Sequence, residues 1–83
     1  MNVKSAAQRT YGCALAMRRQ ASKDSPEPYP KATLTHLRHM NERIQDNQVT
    51  GEKAHRWLGW MQAVVYLHDG AAHEALQRIN KEC

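Results

Sequence analysis

Residues 51–68 read Gly51-Glu52-Lys53-Ala54-His55-Arg56-Trp57-Leu58-Gly59-Trp60-Met61-Gln62-Ala63-Val64-Val65-Tyr66-Leu67-His68, and this stretch decides the fold. Ala54, Trp57, Leu58, Met61, Val64, Val65 and His68 recur at three- and four-residue steps, the period of a helix with one broad apolar face. Trp60, Ala63 and Leu67 form a second apolar strip on the other side. A helix apolar around so much of its circumference must be covered from more than one direction. Thr50 stands where an N-cap belongs, Glu52 places an acid in the first turn, and Asp69-Gly70 ends the helix, with Gly70 suited to a left-handed cap.

Working outward, Leu34, Leu37, Met40 and Ile44 share one stripe of a helix expected from Lys31 or Thr33 to Asp46. Arg38 and Glu42 make a favourable i,i+4 pair on its wet side. Asn47-Gln48-Val49 is a short turn. After Gly70, Ala72, Leu76 and Ile79 belong to a short closing helix of about residues 72–80. Upstream, residues 1–22 read as a basic N-terminal helix whose inner face (Val3, Ala7, Tyr11, Ala14, Leu15) is mostly small. Pro26, Pro28 and Pro30 make residues 23–30 an extended linker, because proline has no amide proton to give a helix. The expectation is one all-α domain over residues 1–83, a three- to four-helix bundle with residues 51–68 as its central apolar helix and residues 31–83 as its helical core. The second and third helices are expected to pair, with Leu34, Leu37, Met40, Ile44, Trp57, Leu58, Met61, Val64, Val65, Leu76 and Ile79 inside.

At 83 residues the chain is short, and Leu, Ile, Val and Phe supply only twelve of them. A core this thin, below the roughly 20% at which order becomes a concern, favours self-association or completion on a partner. The longest apolar run, Ala63 to Leu67, cannot span a bilayer, so no membrane partner is expected. Residues 1–20 are basic and lack an apolar signal core. With only Cys13 and Cys83, the latter expected to fray, the reading is two reduced thiols in a cytosol.

The net charge of +4 is unevenly placed. Residues 1–33 hold six bases and two acids, whereas residues 34–83 hold six of each. Arg9, Arg18, Arg19 and Lys23 form the densest basic feature. The plainer account is a solvated face; the functional one is contact with phosphates or with an acidic protein surface. Residues 51–68 are too apolar for a recognition helix in a DNA groove, so a nucleic-acid role would rest on the N-terminal bases.

Five histidines raise the question of a metal. His36 and His39 lie on one helix face, but no third ligand stands at a recognised spacing, and structural or solvated histidine is the better reading. The four glycines are isolated, so no phosphate loop exists, and no nucleophile has a positioning motif. No catalytic residue, cofactor or metal ligand is expected. Trp57 and Trp60 point about 60° apart on a helix. The expectation places Trp57 inside and Trp60, with Leu67, at a contact surface.

The stretch His36-Leu37-Arg38-His39-Met40, the run RWLGWMQAVVYLHDG at 56–70 and RINKE at 78–82 resemble small uncharacterised helical accessory proteins encoded by tailed bacteriophages. That group's pattern is a leucine-rich helix, then a capped helix carrying Lys, Arg-Trp-Leu-Gly, an aromatic and Gln, then a short final helix. Here the matching residues are Lys53, Arg56, Trp57, Leu58, Gly59, Trp60 and Gln62. The likeness covers about residues 34–82; Ala63 replaces a glycine, and His68-Asp69-Gly70 a more apolar turn. It implies a phage accessory gene, of the kind that encodes anti-defence and host-takeover proteins, and no one activity. The expected function is therefore stoichiometric binding to a host protein or complex, inhibiting a defence or housekeeping machine by occlusion, as in blocking a CRISPR-type complex. The alternative is a small basic nucleic-acid-binding regulator. Arg9, Arg18, Arg19, Lys23, Trp60 and Leu67 are the candidate partner-binding residues, and a homodimer is a further expectation.

Overall fold

The computed structural model describes residues 2–20, 34–68 and 70–83, with side chains at all of these except 17–20 and 71. Four α-helices run in order: α1 (Val3–Gln20), α2 (Leu34–Gln45), α3 (Gly51–His68) and α4 (His73–Glu82), with a 3-10 turn at Gly70–Ala72 before the last. No strand occurs among the described residues. The expected linker at 23–30, and the residues on either side of it at 21–22 and 31–33, lie outside the described residues.

Each helix end has a local cause. Asn2 caps α1: its side-chain oxygen accepts the Ser5 N–H at 3.1 Å, and its carbonyl accepts the Ala6 N–H at 3.0 Å. The α2 end is a Schellman motif. Asn47 adopts φ 61° and its N–H bonds to the Ile44 carbonyl at 3.2 Å, while the Gln48 N–H reaches the Arg43 carbonyl at 2.9 Å. Gly51 enters α3 with φ 61°, and the Thr50 carbonyl accepts the Ala54 N–H at 3.4 Å. The α3 exit differs from the expectation. Gly70 does not take a left-handed conformation; it opens the 3-10 turn, which runs directly into α4.

The core contains Leu37, Met40, Ile44, Leu58, Met61, Val64, Val65, Leu76 and Ile79, as the periodicity anticipates. Leu34 and Trp57 are half-buried at its edge. Ala7 and Ala14 on α1's expected inner face and Ala54 on α3's apolar face are buried as well, and Ala6, Thr10 and Val49 join them beyond the expected set. The pairing of helices also departs from expectation. α1 packs most extensively on α2 and α3 and touches α4, while α2 and α3 meet each other only sparingly. The reason is side-chain size. A face of alanines and one threonine lets two helices approach α1's backbone closely from different sides, and close packing is what dispersion rewards.

Polar groups stitch the same seams. Asn41, buried on α2, donates to Gln8 Oε1 at 2.9 Å, and Gln45 donates to the Lys4 carbonyl at 2.7 Å. Thr10 Oγ1 donates to the Ala6 carbonyl at 2.7 Å, and Gln62 of α3 donates to that same hydroxyl oxygen at 3.4 Å. Gln62 and Asn80 exchange two amide hydrogen bonds, at 2.8 and 3.1 Å, which clasp α3 to α4. Among the described residues every buried side-chain N or O has a partner. The chain's end is docked rather than frayed. The Asn2 N–H donates to the Cys83 carbonyl, and the Cys83 N–H to the Ile79 carbonyl at 2.9 Å.

Candidate functional site

The candidate bases do not gather into one described patch. Arg9 leans onto α4, with Nη1 2.7 Å from Glu82 Oε2 and 3.7 Å from Cys83 Sγ. The hydrogen bond to Glu82, followed by that to Cys83, holds the guanidinium above the ordinary arginine range, so Arg9 is a permanent cation with an internal counter-ion. Arg18 and Arg19 lie in the last turn of α1. Arg18 is nine residues beyond Arg9, about two and a half turns, which sets the two positions half a turn out of phase along α1. Lys23 lies outside the described residues. Sequence reasoning missed Arg9's partner because Glu82 is far away along the chain and no local spacing signals it.

The other half of the candidate set sits on α3. Its inner face is consumed by Ala54, Leu58, Met61, Val64 and Val65. The opposite face carries Gly59, Trp60, Ala63, Tyr66 and Leu67, all exposed. Trp60 is 46% exposed, Tyr66 50% and Leu67 75%, the large apolar side chains that the bundle leaves open. Tyr66 is an addition to the expected residues. It follows Ala63 by three positions, so the helical period carried the signal, but its hydroxyl makes it read as an edge residue. Trp57 is the more covered of the two tryptophans, but it is half-buried rather than inside, and Lys53 caps it, with Nζ 5.8 Å from the ring centroid.

The rim of this face is polar. Tyr66 meets His73 of α4 edge to face, with centroids 5.8 Å apart. Arg56 and Glu52 are exposed toward the other end. Among the described residues no group of three or more His, Cys, Asp or Glu side chains converges as a metal site would require. Cys13 and Cys83 are both free thiols, half-buried. Among the described residues no helix is long and apolar enough to cross a membrane. The arrangement can bury apolar area on another surface. No family model, curated protein or solved structure matches the chain.

Proposed function

We propose that this chain is a phage-type accessory protein that works by stoichiometric protein–protein binding, inhibiting a bacterial host's defence or housekeeping machine by occlusion in the cytoplasm. The observation that carries the reading is the exposed apolar face of α3, with Trp60, Tyr66 and Leu67 presented by a helix whose other side is locked into the core. A rigid helix loses little entropy on docking, and an aromatic anchor of this kind contributes about 1.5–3 kcal/mol when fully buried. The likeness of residues 34–82 to small phage proteins supports the same reading. The basic N-terminal helix serves to speed encounter with an acidic surface more than to add affinity.

Affinity capture from bacterial lysate, with Trp60→Ala and Arg18→Glu/Arg19→Glu as comparison baits, tests it. A protein retained by wild type and lost with Trp60→Ala is the expected result. Nucleic-acid binding is the second reading, favoured by the placement of the whole +4 in residues 1–33. It requires affinity for DNA or RNA that falls steeply with salt, and blank gel shifts at about 50 mM salt would remove it.

A further inference from the structure

We propose that α4 is a latch: it leaves the bundle as one unit while α1, α2 and α3 stay folded, and so uncovers the seat of Leu76 and Ile79. The bundle holds α4 unlike the other helices. It has 10 residues and buries two side chains, Leu76 and Ile79, whereas α2 buries four and α3 five. Its backbone approaches α1 and the turn before it, and hardly nears α2 or α3. Ala72, at the N-cap position, gives α4 no side-chain hydrogen bond. A helix this short is marginal in water by itself, so α4 is ordered by its docking.

Much of that docking is polar and at the surface. The Gln62–Asn80 amide pair and the Arg9–Glu82 ion pair are both exposed. Water replaces such links at little net loss when a helix departs. The joint is the three-residue 3-10 turn at Gly70–Ala72, whose leading glycine accepts backbone rotation without steric cost. The rest of the bundle has its own cohesion. α1 packs most extensively on α2 and α3, so the greater part of the core stays closed when α4 leaves.

Release matters for recognition because of where the seat lies. Tyr66 meets His73, the first residue of α4, edge to face, so the seat adjoins the open face that carries Tyr66 and Leu67. The two surfaces become continuous in the opened form. The seat fits what it holds, a short amphipathic helix with two aliphatic side chains three positions apart. A partner helix of that pattern, taking the place of α4, binds the opened form alone, and its apparent affinity is reduced by the fraction open. This consequence rests on the protein-binding reading above; the latch itself does not.

Native-state hydrogen exchange of the full chain, followed by NMR with reductant present, tests the latch without any partner. The amides of Gln77 to Cys83 should share one opening, with a constant at least about tenfold larger than that of the slowest amides in α2 and α3. One chemical change made at two places separates this from unfolding of the whole molecule. Ile44, buried on α2, keeps its contacts when α4 leaves, so Ile44→Val should speed the slow amides of α2 and α3 by about two- to twelvefold and leave α4 unchanged. Ile79 is covered only in the closed form, so Ile79→Val should speed α4 and the slow amides by the same factor, again about two- to twelvefold. Exchange of α4 as slow as that of α2 and α3, or quickened by Ile44→Val, would mean that α4 leaves only when everything unfolds, and the proposal fails. A rate that climbs residue by residue towards Cys83 would mean fraying from the end, and the proposal fails equally. Capture of a host protein is read separately, so its failure leaves the latch standing.

Discussion

Ala7→Leu is the substitution that most directly tests the central place of α1. Ala7 is 0% exposed, as is Ala6, on the face that α2 and α3 approach. The change adds three carbons where the neighbouring helices already touch, while helix propensity stays nearly constant between the two residues. Overpacking of this kind typically costs about 1–3 kcal/mol. For a domain of this size each kcal/mol moves Tm by about 4–8 °C, so the expected fall is about 4–24 °C. Ala16→Leu supplies the control. It is the same chemical change on the same helix at an exposed position, where the expected effect is within about 0.5 kcal/mol. Urea unfolding followed by circular dichroism, at one dilute protein concentration, reads both variants. If Ala7→Leu is as stable as Ala16→Leu, α1 is not gripped between its neighbours and the account of the fold is wrong.

The remaining predictions use the same assay. Met61→Ala empties a fully buried site at the middle of α3 and should cost about 2–5 kcal/mol. Asn41→Leu removes the bonds to Gln8 and Gln45, but Gln8 is exposed and can turn to water, so the cost should be about 0.5–1.5 kcal/mol. Gly51→Ala and Gly59→Ala should have opposite signs although both positions are open. The first forces alanine to φ 61° at about 1–2 kcal/mol, whereas the second gains about 0.8–1 kcal/mol of helix propensity. The Arg9–Glu82 contact raises the arginine's folded pKa, so its share of stability is complete below the ordinary arginine range and is lost only as pH rises above it. Arg9→Gln should therefore alter stability by the same small amount at pH 6 and pH 7, and a difference that changes between those values would count against the assignment.

What could be read from the sequence was whatever apolar area signals. Leu37, Met40 and Ile44 on one stripe, and Leu58, Met61, Val64 and Val65 on another, set the limits and inner faces of α2 and α3 to within a few residues. The position of α1 was not readable in this way. Alanine carries little area, so Ala6, Ala7 and Ala14 register as a weak face, although their smallness is what brings the other helices close. Gln62 shows a similar limit. Its structural work, bridging Thr10 and Asn80, joins three helices that no local spacing relates. On the candidate site, Trp60 and Leu67 followed from the helical period. Arg9 was read as a free base because its counter-ion, Glu82, lies at the other end of the chain.

The open face of α3 follows from how the rest of the bundle is spent. α1 packs against α2, α3 and α4, whereas α3 meets α2 only sparingly, and α3's inner stripe lies in the common core with Leu76 and Ile79 of α4. Gln62 and Asn80 then fix α4 to one side of α3, and Tyr66 against His73 marks how far that cover extends. Beyond this edge stand Ala63 and Leu67, both exposed. A small bundle gains little stability from Tyr66 and Leu67 at such positions, since exposed apolar groups add little to the fold. Their cost is offset only when another surface covers them. Tyr66 and Leu67, side by side on one exposed face, add little to the fold, and that is the ground on which association is proposed.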